Sequence, residues 1–351
     1  MIASKKTILL VFIHGFKGGS DTFATFPDDL EKALKEKEGT SDVEFRALVY
    51  PPYDTKGNFR LAVSKLRDWL QNTVIDIESQ RGTSSPTINS TVKIVLLGHS
   101  MGGLVAADVI IELNDEFAPA MLFPNIIGLF ALDSPMLGLA PSLWTNGADG
   151  LFQKGKSLYD NAASLSAIGS GLFASKVVEN ERKQKAIEPK SSTGTSFGWK
   201  SIAAISAAGA FAAGSALYSQ KDKIGRGLSW ITDHLEFIGT LRRTEELSER
   251  TVKVNSIENV KFSCYYTRLT SKSVIDGGPR TFIVLPKGEL LKSRFHPQEN
   301  ARATDEVGSH TSMFVRDKNS GYDEMLRAIF EETSQWVNEA MAMVRMNPEQ
   351  T

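Results

Sequence analysis

The chain has 351 residues, of which 41% are hydrophobic and 23% charged, and its formal net charge is −1. This is globular composition, enough for one large α/β domain with an insertion, and the near-neutral balance leaves no basic face of the kind that binds nucleic acid. Cys264 is a single cysteine and cannot form an internal disulfide, which favours a reducing compartment, with a small buried apolar role expected for it.

The first expected element is a strand at Thr7-Ile8-Leu9-Leu10-Val11-Phe12-Ile13, an unbroken apolar run of the kind that is covered on both faces. Two lysines precede it, but the run is too short for a signal-peptide core and passes into His14-Gly15 without a small-residue cleavage pattern, so no targeting segment is expected. A helix is expected from about Pro27 to Lys37, with Pro27 at a helix start where its missing N–H costs nothing. Val43 to Tyr50 reads as a second strand, ended by Pro51-Pro52, and Phe59 to about Ile77 carries apolar residues at helical spacing. The Ser/Thr/Gly/Pro-rich stretch Arg81 to Ser90 is a surface loop. Val92 to Leu97 and Ile126 to Leu132 are further apolar strands.

Beyond Pro135 the alternation stops for roughly a hundred residues rich in Ala, Gly and Ser, with a basic patch at Arg182, Lys183 and Lys185 and helical patterning from Ile224 to Arg250. Strand character returns at Val260 to Tyr266 and Thr281 to Leu285, and a final helix is expected from about Tyr322 to Val344. The implied architecture is α/β, a mostly parallel central sheet with helices on both faces. Its core would be residues 1–135 and 241–351, interrupted by an inserted helical cap or lid at 136–240.

The strand Val92 to Leu97 leads into Gly98-His99-Ser100-Met101-Gly102-Gly103, then Leu104-Val105-Ala106-Ala107. This is G-x-S-x-G between a buried strand and a helix, the context a nucleophile elbow needs. The serine of such an elbow sits on a strained strand-to-helix turn, so the residues two before and two after it must lack side chains. The turn lifts Oγ above the sheet edge at a helix N-terminus, where partial positive charge favours an oxyanion.

Gly98-His99-Ser100-Met101-Gly102-Gly103, with His14-Gly15-Phe16 ending an earlier strand, resembles the lipase/esterase branch of the α/β-hydrolases, nearest to the fungal-type serine esterases grouped under a domain of unknown function. The resemblance covers the sheet, about 7–134 and 255–345. It implies an oxyanion hole from the backbone N–H groups of Phe16 and Met101; His14 itself reads as a hydrogen-bonded structural residue that holds its loop, in preference to a metal ligand. It also implies the chain order nucleophile, acid, histidine. Of the histidines after Ser100, His234 lies in a helical pattern and His296 precedes Pro297 in a polar loop. His310 falls between the last strand and the last helix, where the family's catalytic histidine stands. The acid stays open. Asp133 ends the strand Ile126 to Leu132 where many bacterial lipases carry a Gly-Thr-Pro-His stretch, Asp276 follows the next strand, the commoner place, and Asp305 is near His310 in sequence. The five histidines show no ligand spacing, and no metal or cofactor is expected.

The expected function is that of a serine hydrolase cleaving carboxylic esters through an acyl-enzyme. Thioesterase, amidase and acyltransferase readings share the same residues, and a non-catalytic binding module on the same fold is the alternative from another class. The uncharged run Ile202 to Gly214, bracketed by Lys200 and Lys221, approaches the roughly 20 residues that span a bilayer, but its Ala, Gly and Ser contribute little transfer energy and suit close helix packing. A cap helix over the active site is the favoured reading of 201–218, with a membrane-embedded or interfacial segment as the alternative. Either would suit an acyl chain, so the expected substrate is a small-molecule or lipid ester. The expected location is cytoplasmic, with membrane contact through the cap left open.

Overall fold

The computed structural model describes residues 6–15, 18–19, 21–37, 43–53, 58–83, 85, 87–88, 90–116, 123–145, 243–270 and 280–346. The chain divides into two units, Met1–Leu158 with His234–Thr351, and Tyr159–Asp233. Every element whose residues are described belongs to the first. Apart from 136–145, the expected insertion, with its run at 201–218 and His234, lies outside the described residues.

The strands are β1 (Lys6–Ile13), β2 (Val43–Val49), β3 (Val92–His99), β4 (Ile126–Leu132), β5 (Lys261–Leu269), β6 (Arg280–Thr281) and β7 (Phe295–Asn300). The sheet runs β2-β1-β3-β4-β5-β6, with β7 also pairing β5, and every pairing is parallel except that of β5 with β6. The helices are α1 (Phe26–Lys37), α2 (Phe59–Gln80), α3 (Met101–Glu116), α4 (Pro141–Thr145), α5 (Thr244–Ser256), α6 (Glu289–Lys292), α7 (Glu306–Thr311) and α8 (Tyr322–Met346).

Strands alternate their side chains between two faces, and here both faces are dry. Leu9, Val11, Ile94, Leu96 and Leu129 pack with α2, α3 and α5 on one side, while Ile8, Leu10, Val95, Leu97 and Phe130 pack with α1 and α8 on the other. That is why these strands are continuous apolar runs, and each such side chain contributes about 1.5–3 kcal/mol on burial. At the start of β3 the buried Glu78 accepts from the Val92 N–H at 2.9 Å and the Ser90 hydroxyl at 3.0 Å, tying the strand to the end of α2.

Two elements depart from the sequence reading. Phe295–Asn300 is a strand, although its Pro297 and polar residues give no strand pattern. It pairs only β5 among the described residues, and a proline that cannot donate is tolerated at such an edge. The expected strand Thr281 to Leu285 is cut to Arg280–Thr281, followed by an isolated bridge from Ile283 to Leu139. At the near end of the expected insertion, Met136 and Leu143 are buried in this unit. Among the described residues no helix is long and apolar enough to cross a membrane.

The chain passes from β1 to β2 on one side and then returns to β3 on the other side of β1. Connections therefore diverge at the carboxyl ends of β1 and β3, and an open α/β sheet forms its crevice at such a point.

Candidate active site

β3 ends at His99 and α3 begins at Met101, leaving Ser100 as the whole of the turn, with φ +55°. A non-glycine residue in this region costs about 1–3 kcal/mol and persists where its surroundings enforce it. The enforcement is visible: Ser100 N–H donates to the Leu132 carbonyl at 3.0 Å and the Gly103 N–H donates back to the Ser100 carbonyl at 3.2 Å. The glycines are required by close approach. A Cβ on Gly98 would lie 2.5 Å from Gly103 Cα, and one on Gly15 would lie 2.6 Å from Ser100 Cβ and 3.1 Å from Met101 N. The ends of β1 and β3 are thereby pressed together around the serine. Ser100 Oγ has no hydrogen-bond partner among the described residues.

Register explains how Asp133 comes to the same place. His99 pairs Leu132 in the last row shared by β3 and β4, so Ser100 and Asp133 are each the first residue beyond that row on adjoining strands. Asp133 also has positive φ, +45°, and its N–H is held by the Tyr265 carbonyl at 2.6 Å. Its carboxyl group is fully buried. Oδ1 accepts from Thr267 N–H and Oδ2 from the Thr267 hydroxyl, both at 3.0 Å. Hydrogen bonds to a charged group contribute about 1.5–3 kcal/mol each, which offsets much of the cost of burying it.

His310 closes the arrangement. It lies in α7, whose N-cap is Asp305: that side chain accepts from the Gly308 N–H at 2.7 Å. His310 Nδ1 donates to Asp133 Oδ2 at 2.7 Å across 177 residues of sequence. The imidazole stacks on Phe282, with centroids 3.6 Å apart, and on His99, at 4.5 Å. The elbow's neighbour His99, Asp133 at the end of β4 and the loop after β6 thus converge on one ring.

Of the expected site residues, Asp133 and His310 are hydrogen-bonded to one another, and Met101 N lies against Gly15 beside Ser100. Phe16 and Asp276 lie outside the described residues. Asp305 is spent on its own helix. His296 lies in β7 in register with Tyr265, the two rings 5.0 Å apart, and burial lowers its pKa against the pull of Glu332. His14 is buried and stacked on Tyr53 at 4.8 Å; its Nδ1–H donates to the Gly15 carbonyl at 3.0 Å, and burial lowers its pKa. The neutral ring secures the loop that faces the elbow. Cys264 is buried, and burial, with Asp133 nearby, raises its thiol pKa well above the usual range. Among the described residues no three His, Cys, Asp or Glu side chains gather as metal ligands.

Thr267, Phe282 and His99 had no sequence signal as site residues. Thr267 is one of the alternating positions of β5, and Phe282 stands in an apolar stretch like any other core residue. Only the register of β4 against β5, and the backbone bond from Ala140 N–H to the Phe282 carbonyl at 3.0 Å, place them.

Residues 3–184 match the family described as Putative serine esterase (DUF676). No sequence among the curated proteins matches the chain. Among solved structures, a phospholipase PlaB from Legionella pneumophila is 17% identical over 40% of this chain and 27% of its own, with a TM-score of 0.30. The chain thus spans about a quarter of that phospholipase. A carboxylesterase structure from the ammonia-oxidizing thaumarchaeon Nitrososphaera gargenis is 10% identical over 96% of this chain and 93% of its own, with a TM-score of 0.40. These scores are too low for either protein's activity to bear on this chain.

Proposed function

The chain belongs to the serine esterase family DUF676, and on that premise we propose that it cleaves carboxylic esters with Ser100 as nucleophile, His310 as general base and Asp133 as the acid that orients the base. The observation that carries this reading is the buried 2.7 Å bond from His310 Nδ1 to Asp133 Oδ2 beside a serine held at positive φ. With Nδ1–H committed to the carboxylate, Nε2 is left unprotonated and able to accept a proton.

Ser100 Oγ attacks the ester carbonyl carbon while His310 Nε2 takes its proton. The oxyanion accepts hydrogen bonds from the N–H of Met101, at the positive end of α3, and from that of Phe16. Collapse breaks the ester bond, and the departing alkoxide receives the proton from His310. Water, deprotonated by the same Nε2, then attacks the acyl-enzyme, releasing the carboxylic acid and restoring Ser100. No hydrogen bond joins Ser100 Oγ to His310 among the described residues; a catalytic hydrogen bond of this kind forms when substrate is bound.

Labelling with a fluorophosphonate tests the reading: modification at Ser100 is expected, and an unmodified serine in folded protein would leave a binding module on this fold. The finer reading, that the substrate is a lipid acyl ester, is supported by the uncharged run at 202–214, which lies outside the described residues. A panel of acyl esters of increasing chain length tests it. kcat/KM should rise with chain length, and a preference for acetyl esters would discard the lipid substrate.

The acid can be tested separately. Asp133→Asn keeps the shape and the bond from Thr267 N–H, but an amide NH₂ at the other position cannot accept from Nδ1–H. The imidazole is driven to the tautomer with Nε2 protonated, which cannot act as base. A loss of about 10⁴-fold in kcat is expected, against a loss of less than about tenfold for Asp276→Asn. The larger loss at Asp276 would move the acid to the segment after β5.

A further inference from the structure

His310 is the middle ring of three. Phe282 lies 3.6 Å away by centroids with planes 11° apart, and His99 lies 4.5 Å away at 25°. Two rings stacked this closely cannot share one face, so the imidazole is held between them and only its edges are open, one of which faces Asp133.

The stack with Phe282 has a particular geometry. A centroid distance of 3.6 Å is no more than carbon–carbon contact, so the rings overlap with almost no lateral offset. Neutral aromatic rings avoid that arrangement and prefer an offset or an edge-on approach, because their faces are both electron-rich. A cationic ring over a phenyl face is attracted to it. The arrangement therefore suits the imidazolium that forms when His310 takes the proton of Ser100. On the other face His99 does not oppose that charge: its burial and the nearness of His310 hold its pKa well below the usual range, so it is neutral.

Phe282 is also held in place independently of His310. Its carbonyl accepts from Ala140 N–H at 3.0 Å, Val284 N–H donates to the Gly138 carbonyl at 2.9 Å, and Thr281 pairs Arg268 of β5. The segment that pins it, 138–140, follows directly from Asp133.

We infer that Phe282 is a positioning residue for His310, holding the imidazole between Asp133 and the elbow and stabilising its protonated form. This rests on the reading of His310 as the base. Among the described residues, the titratable and charged groups around the ring are Asp133 at the end of β4, His99 at the end of β3, and on α7 itself Asp305 and Glu306, the latter paired with Arg280 of β6 at 3.0 Å. No substitution at Phe282 alters any of them.

The test is an NMR titration of His310 in the full chain with labelled histidine, for wild type, Phe282→Leu and Phe282→Tyr. Removing a contact that favours the charged form lowers the pKa. Phe282→Leu should therefore titrate about half a pH unit lower, and Phe282→Tyr within about 0.2 units of wild type. In kinetics the acid limb of kcat/KM should move down by the same amount. The plateau should fall about tenfold through kcat, with KM little changed. A ring that merely fills space would lower the plateau without moving the limb. An unmoved titration in Phe282→Leu, or a tyrosine variant that behaves like the leucine one, overturns the inference. If Phe282→Leu does not fold, Phe282→Met fills a similar volume and the same titration decides. The titration needs no turnover, so the two readings fail separately. Labelled Ser100 with an unshifted titration defeats this one, and unlabelled Ser100 with a shifted titration defeats the esterase.

Discussion

Ser100→Ala is expected to lower kcat for a small activated ester by about 10⁵- to 10⁶-fold. Where nucleophile and base act as a unit, loss of the nucleophile alone removes nearly all that the unit contributes, leaving only the oxyanion donors and binding. The fold should not suffer. The hydroxyl has no hydrogen-bond partner among the described residues, and alanine accepts φ +55° at much the same cost as serine. The unfolding midpoint should therefore stay within a few degrees of wild type while turnover disappears. Residual activity above a few per cent in a clean preparation would remove Ser100 from the mechanism.

His310→Ala should be comparably severe, and His296→Ala should cost less than about tenfold. Both histidines follow the nucleophile and both are half-buried or more, but they stand differently. His310 reaches a buried carboxylate from the loop side of the sheet, whereas His296 is within an edge strand with its ring against Tyr265. Paired measurement of the two variants on one ester decides. Equal losses would mean that the base had been misplaced, since His296 has no carboxylate acceptor for a ring N–H among its hydrogen bonds to described residues.

The elbow was legible in the sequence because its physics is local. A buried strand, two glycines that must yield to close backbone contact, and a helix start are all contiguous between Val92 and Ala107. The parallel sheet was legible for the same reason, since runs such as Ile8 to Ile13 have no polar face to expose. The acid was not. In the sequence Asp133, Asp276 and Asp305 each stand beside an expected element, and each could cap its own turn. What distinguishes Asp133 is the register that puts it one row beyond Leu132 with its carboxylate within hydrogen-bond reach of Thr267, a property of strand pairing that no local pattern encodes. Asp305 shows the converse, a carboxylate near His310 in sequence whose acceptor oxygen is committed to Gly308 N–H. β7 was missed because an edge strand built on Phe295-His296-Pro297-Gln298-Glu299-Asn300 needs few apolar residues when its neighbour β5 supplies the pairing.

The span of 177 residues between His310 and Asp133 has a consequence for cooperativity. The family match, residues 3–184, contains Ser100 and Asp133 but ends before His310. Ser100 and Asp133, the proposed nucleophile and acid, stand at the ends of neighbouring central strands, whereas His310, the proposed base, belongs to the later segment 280–346, which meets the sheet at β5 and through α8. Proteins open in subglobal units whose free energies lie below that of complete unfolding. An excursion that undocks α7 alone would leave β1 to β4 and nearly all the regular secondary structure in place, yet would take away from Ser100 its proposed base. On the proposed mechanism, competence for ester cleavage is thus tied to the least central part of the sheet. On the proposed mechanism, activity under heat or denaturant is expected to be lost through the local opening of that segment, ahead of the melting of the core that carries the serine.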